Sequence, residues 1–228
     1  MIKDFLALIF PHVCVACGKP LYKTENCICM LCIYHLPKTN FHLDKENPIA
    51  KIFWGRVEIV AAASYYSFTK GGKVQHLIHQ LKYEGQKEIG VTLGRLYGIE
   101  LKESANFKNV DLIIPVPLHK NKLRKRGYNQ SESIAVGLSK GMDIPTNFKS
   151  LVRAVASESQ TRKSRFNRWK NVESVFQVKD ENPLIGKHIL LVDDVITTGS
   201  TLEACAQTLI KIPGVSISVV TLAHASVL

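Results

Sequence analysis

Apolar and polar positions along this chain switch between two periods, and the switching predicts a sheet covered by helices. Strand-like runs fall at Glu58 to Phe68, Asp111 to Ile114, Val172 to Val178, Ile189 to Val192 and Ser216 to Ala223. Between them, Val74, Leu77, Ile78 and Leu81 follow helical spacing, and so do Ile89, Leu93, Leu96 and Tyr97. Gly90, Gly94 and Gly98 interrupt the second helix, where they either weaken it or let a neighbour pack closely. Gln130 to Lys140 and the stretch from Leu202 read as further helices. Residues 38–57, with Pro48 and mixed polar character, read as a connector. This divides the chain into an N-terminal part, 1–57, and a main domain, 58–228. Strands alternating with helices imply an α/β fold with a mostly parallel sheet covered on both faces.

One strand ends in unusual chemistry. The apolar run Ile189 to Val192 leads into Asp193 and Asp194, and Thr197, Thr198, Gly199, Ser200 and Thr201 follow before the helix. Ligands of open α/β sheets bind outside the carboxyl ends of the strands. Hydroxyls and backbone N–H groups at a helix start bind phosphate, helped by the helix dipole. Gly199 allows a tight turn and close approach to the anion. A carboxylate pair would repel the phosphate, so its use lies elsewhere; accepting hydrogen bonds from two ribose hydroxyls is the obvious one. A Walker A loop would need lysine after the glycine, and a dinucleotide fingerprint would need three spaced glycines; neither is present. The plainer alternative is a strand–turn–helix in which Ser200 or Thr201 caps the helix. Two acids and five successive Thr/Gly/Ser residues exceed what a cap requires.

Charge adds to this picture. A net charge of +11 implies polyanionic partners: nucleic acid, diphosphates or an anionic membrane surface. The segment Pro115 to Gln130 carries Lys120, Lys122, Arg124, Lys125 and Arg126 and reads as a basic loop at the ligand edge of the sheet. It is a diphosphate site, with Arg126 as the chosen residue, a solvated basic loop, or a nucleic-acid patch. Arg153 to Phe176 is basic and poor in apolar residues, which suits a lid that excludes water, with Gln160, Arg165 and Arg168 as its working residues. No segment reaches the roughly 18–20 apolar residues of a membrane span. Phe5 to Phe10 is too short and stops at Pro11; it reads as a short amphipathic helix. The expected location is the cytoplasm, with peripheral attachment at the inner face of the membrane as a further option.

Five of the six cysteines lie between Cys14 and Cys32. Cys14–Cys17 and Cys29–Cys32 are two CxxC knuckles, and four thiolates complete a closed tetrahedral site for structural zinc. Disulfides would need an oxidising compartment, and an iron–sulfur cluster is the other option for four cysteines. Cys27 reads as a free thiol or a fallback ligand, Cys205 as a core residue, and His12 and His35 as surface or packing histidines.

The acid pair and hydroxyl loop resemble the phosphoribosyl pyrophosphate (PRPP) loop of type I phosphoribosyltransferases. The order of CxxC–CxxC, Leu81-Lys82-Tyr83, Pro115-Val116-Pro117, Arg126-Gly127-Tyr128-Asn129-Gln130, Arg153, Gln160, Arg168, Asn171, Phe176 and the PRPP loop resembles the ComF family across nearly the whole chain. Two departures stand out: Ser157 replaces the family's usual threonine, and Cys27 is an added thiol. The resemblance implies a type I phosphoribosyltransferase-like domain behind a small zinc module. Thr197 to Thr201, Val116 and Arg126 would bind PRPP with Mg²⁺, and Asp193 and Asp194 would act at the ribose. It implies a role in natural transformation, with single-stranded DNA and a competence helicase or other DNA-uptake proteins as partners. An active nucleobase salvage transferase is the alternative.

Overall fold

The computed structural model describes residues 12–153 and 175–225. The expected lid residues Gln160, Arg165 and Arg168 lie outside them. In chain order the elements are α1 (Met30–His35), α2 (Pro48–Lys51), β1 (Ala61–Phe68), α3 (Lys73–Tyr83), α4 (Lys87–Glu103), β2 (Leu112–Pro115), α5 (Lys120–Arg126), α6 (Gln130–Met142), β3 (Leu151–Arg153), β4 (Phe176–Val178), β5 (His188–Ile196), α7 (Ser200–Leu209) and β6 (Ser216–Ala225).

The main sheet has the order β1-β6-β5-β2, and every pairing in it is parallel. Its central strands are buried on both faces, which explains their near-continuous apolar runs. Leu190, Val192 and Val220 pack on one side with Leu77 and Leu81 of α3, Leu93 and Tyr97 of α4, and Ile134 and Leu138 of α6. Ile189, Leu191 and Val219 pack on the other with Ile49, Phe53, Leu151, Phe176, Leu202 and Leu209. An antiparallel pair, β3 with β4, brings Arg153 opposite Phe176.

The glycines of α4 serve close packing. An added Cβ at Gly94 would stand 2.4 Å from the Ile134 carbonyl oxygen of α6, and one at Gly98 would stand 2.7 Å from that of Leu138. Gly137 answers from α6, where a Cβ would lie 2.3 Å from the Val91 oxygen. The two helices therefore meet backbone to backbone.

Three segments differ from the sequence-based expectation. The basic loop contains a helix, α5, closed by Gly127 in the left-handed region (φ 76°). No residue of α5 is buried, so no apolar periodicity announces it. The connector is docked rather than loose. The Asn47 side chain donates to the carbonyls of Asp44 (2.7 Å) and Ala62 (2.7 Å) and caps α2 by accepting from Ile49 N–H (2.9 Å). Ile49, Ala50 and Phe53 then enter the core. Finally, β5 runs through Asp193 and Asp194 to Ile196, because pairing with β6 continues from Asp193↔Thr221 to Ile196↔His224.

Candidate functional site

The site lies at the carboxyl ends of β2 and β5. Because the acid pair belongs to the strand, alternation sends the two side chains to different neighbours. Asp193 Oδ1 accepts from Ser131 Oγ at the start of α6 (2.9 Å) and from the Asp194 N–H (2.9 Å). Asp194 Oδ1 pairs with Lys82 Nζ of α3 at 2.9 Å. Burial, and then the Asp194 charge, push the Asp193 carboxyl up to about 7, against the pull of its hydrogen bonds and of Lys82. Asp194 is thus paired with a cation, whereas Asp193 is held by a hydroxyl and an N–H.

The loop after β5 presents Thr197, Thr198, Ser200 and Thr201 to solvent. Gly199 is the N-cap of α7, with φ 76°, and no side chain caps that helix. The plainer alternative, a cap from Ser200 or Thr201, is not formed; the Ser200 hydroxyl contacts Thr198 Oγ1 at 2.8 Å. The first N–H groups of α7 thereby have no side-chain cap, exposed hydroxyls flank them, and the helix dipole favours an anion at such an end.

Gly199 has a second constraint. A Cβ there would stand 2.7 Å from Ile52 Cγ2, so the docked connector forms the back wall of the loop. Arg56 from the same segment donates to the Thr198 carbonyl (2.9 Å) and pairs with Glu203 in the first turn of α7. Sequence reasoning missed Arg56, Lys82 and Ser131 as site residues. A lone arginine in a connector and a serine inside a helix carry no signal, and Lys82 enters only within the Leu81-Lys82-Tyr83 pattern.

The other expected residues are placed as follows. Arg126 ends α5 with its guanidinium 5.1 Å from the centre of the Tyr83 ring. Val116 is buried; its N–H donates to the Val192 carbonyl (2.8 Å) and its carbonyl accepts from Asn129 Nδ2 (3.0 Å). It holds the ends of β2 and β5 together and orients Asn129. Asn129 in turn caps α6 through Ser131 N–H.

The second constellation is the cysteine cluster. The sulfurs of Cys14, Cys17, Cys29 and Cys32 all lie within 4.8 Å of one another. Cys17 and Cys29 are 3.9 Å apart, against roughly 3.8 Å across a tetrahedron of 2.3 Å zinc–sulfur bonds. Backbone N–H groups point at the sulfurs, from Cys29 to Cys14 (3.3 Å) and from Cys32 to Cys29 (3.4 Å). Burial pushes the Cys32 thiol up to about 12, with the neighbouring thiols adding to it. Four thiolates this close need a cation, so the donor set fits a metal such as zinc. Cys27 lies outside the set, its sulfur 3.5 Å from Thr92 Oγ1 of α4, and His12 and His35 are exposed. Cys205 is buried in the core, as expected. Among the described residues no helix is long and apolar enough to cross a membrane.

A parallel sheet ending in an acid pair and an uncapped, hydroxyl-ringed helix start defines a phosphoribosyltransferase-type domain, and the family of the phosphoribosyl transferase domain matches residues 129–226. The chain also shares most of its length with known proteins. DNA utilization protein YhgH of Shigella flexneri is 32% identical over 210 residues, which cover 90% of this chain and 87% of the relative. Competence protein F of Haemophilus influenzae is 37% identical, covering 65% of this chain and 67% of its own. Competence protein ComFC of Bacillus subtilis is 26% identical, covering 87% and 78%. This chain belongs to the ComF family.

Proposed function

We propose that this ComF-type protein binds PRPP and acts in the handling of incoming single-stranded DNA. The observation that carries the first half is the uncapped start of α7 behind four exposed hydroxyls, with the acid pair alongside. In this reading Thr197 to Thr201 hold the 5′-phosphate. Asp193 and Asp194 meet the ribose hydroxyls, with Lys82 yielding Asp194 to the ligand. Arg126 faces the diphosphate, and Mg²⁺ enters with PRPP. The cysteine cluster holds structural zinc, closed to substrate because all four positions are filled by protein.

The second half rests on charge and kinship. Helix α5 carries five cations in seven residues and buries none of them, which suits a nucleic-acid backbone better than a closed pocket. The names of the relatives, DNA utilization and competence proteins, point the same way. A competence helicase or another DNA-uptake protein would then be the protein partner.

Calorimetric titration with PRPP and Mg²⁺ tests the site. Binding should weaken at least tenfold in Thr198→Val/Ser200→Ala, since buried or phosphate-facing hydrogen bonds to charged groups are worth roughly 1.5–3 kcal/mol. Undetectable binding to the wild type would remove the PRPP reading. Diphosphate release with a panel of nucleobases distinguishes binding from turnover.

A further inference from the structure

Arg56 stands behind the proposed phosphate loop, not in it, and three observations converge there. Its Nη1 donates to two carbonyls, Thr198 (2.9 Å) and Ile52 (3.1 Å). Its Nη2 pairs with Glu203, on the first turn of α7. The Ile52–Arg56 turn also fills the space behind Gly199, where a Cβ would meet Ile52 Cγ2 at 2.7 Å and the Phe53 ring at 3.5 Å.

A trans peptide points its C=O and its N–H in opposite directions. Anchoring the Thr198 carbonyl to the Arg56 guanidinium therefore aims the Gly199 N–H away from Arg56, outward from the back wall. The same guanidinium offsets the negative charge of Glu203, which would otherwise face any anion at the helix start. Wall, carbonyl anchor and charge all come from a segment that precedes the sheet in sequence. We infer that Arg56 is a positioning residue for the phosphate site: it holds the Thr198–Gly199 peptide in the orientation that presents the Gly199 N–H to phosphate.

The inference rests on the phosphate reading above, and the test separates the two. Ribose 5-phosphate is titrated into the full-length, metal-loaded protein, with the Gly199 amide followed by ¹⁵N NMR. Wild type should bind and shift the Gly199 amide. Arg56→Ala should lose about tenfold in affinity, the scale of one charge-assisted hydrogen bond, and most of the Gly199 shift. Arg56→Lys should recover part of both. Glu203→Gln alone should bind as wild type, and Arg56→Ala/Glu203→Gln should remain as weak as Arg56→Ala. If the double variant regains wild-type affinity, Arg56 serves only to neutralise Glu203 and the positioning role falls. If Arg56→Ala binds like wild type, the inference falls alone. If wild type does not bind ribose 5-phosphate, the phosphate reading falls first and carries the inference with it. An unchanged metal content and thermal midpoint in Arg56→Ala show that the loss is local.

Discussion

At the scale of the residue, the acid pair behaves as two different groups. Asp194 has a lysine, whereas Asp193 has a hydroxyl and an N–H, and burial and the neighbouring like charge push its carboxyl up to about 7. An unfolded carboxyl titrates near ~4. Between those values the native state keeps a proton that the unfolded state has lost, so stability falls as pH rises through the window. Asp193→Asn removes that loss, and its stability should gain on wild type from about pH 4 to pH 7 by on the order of 1–3 kcal/mol. Denaturant midpoints at pH 5 and pH 8 measure this; a difference that is the same at both would mean Asp193 titrates normally in the fold. The acid pair and Gly199 were legible as single residues, because rare chemistry in a short window is visible without a partner. The reasons they sit as they do were not: Lys82 and Ser131 lie far from Asp193 and Asp194 in sequence, and so does Ile52 from Gly199.

At the scale of the element, the glycines of α4 read from sequence as either a weakness or a contact, and the structure resolves them as a contact. Gly94→Ala would drive a Cβ into the Ile134 carbonyl, which is backbone and cannot swing aside. The expected cost is about 1–3 kcal/mol, an overpacking value, or on the order of 5 °C in thermal midpoint for a chain of this size. Gly137→Ala, whose Cβ also meets Gly94, should cost a similar amount. The pair should be less than additive, because the first shift of the helices already makes room for the second. Calorimetry of both single variants and the double checks this, and simple additivity would mean that the helices do not move as one. Strands β5 and β6 and helices α3, α4 and α6 were legible because burial imposes a period on them. Helix α5 was not, since a helix with no buried residue has no apolar period to read.

At the scale of the whole molecule, the cysteine cluster shares the core of the sheet. Cys14, Ile28 and Cys32 belong to one buried cluster with Leu77, Leu93 and Ile113, and contacts from Cys27 to Thr92 and from Lys73 to Cys32 join the parts. Cys14→Ser/Cys29→Ser should therefore abolish zinc in elemental analysis and also lower the main unfolding transition by several degrees. An unshifted main transition would show a tethered, independent finger, and retained zinc would refute the four-cysteine site. The sequence by itself determined the α/β class, the acid–hydroxyl loop, the metal spacing and the basic character, because each is a local pattern set by period, residue type or charge. Tertiary structure alone decided that Asp193 and Asp194 have separate partners, that the Ile52–Arg56 turn forms the back wall of the loop, and that Arg56 reaches Thr198. Those depend on which distant segments meet once apolar faces are buried, and that pairing is a property of the packed core that no short window of sequence contains.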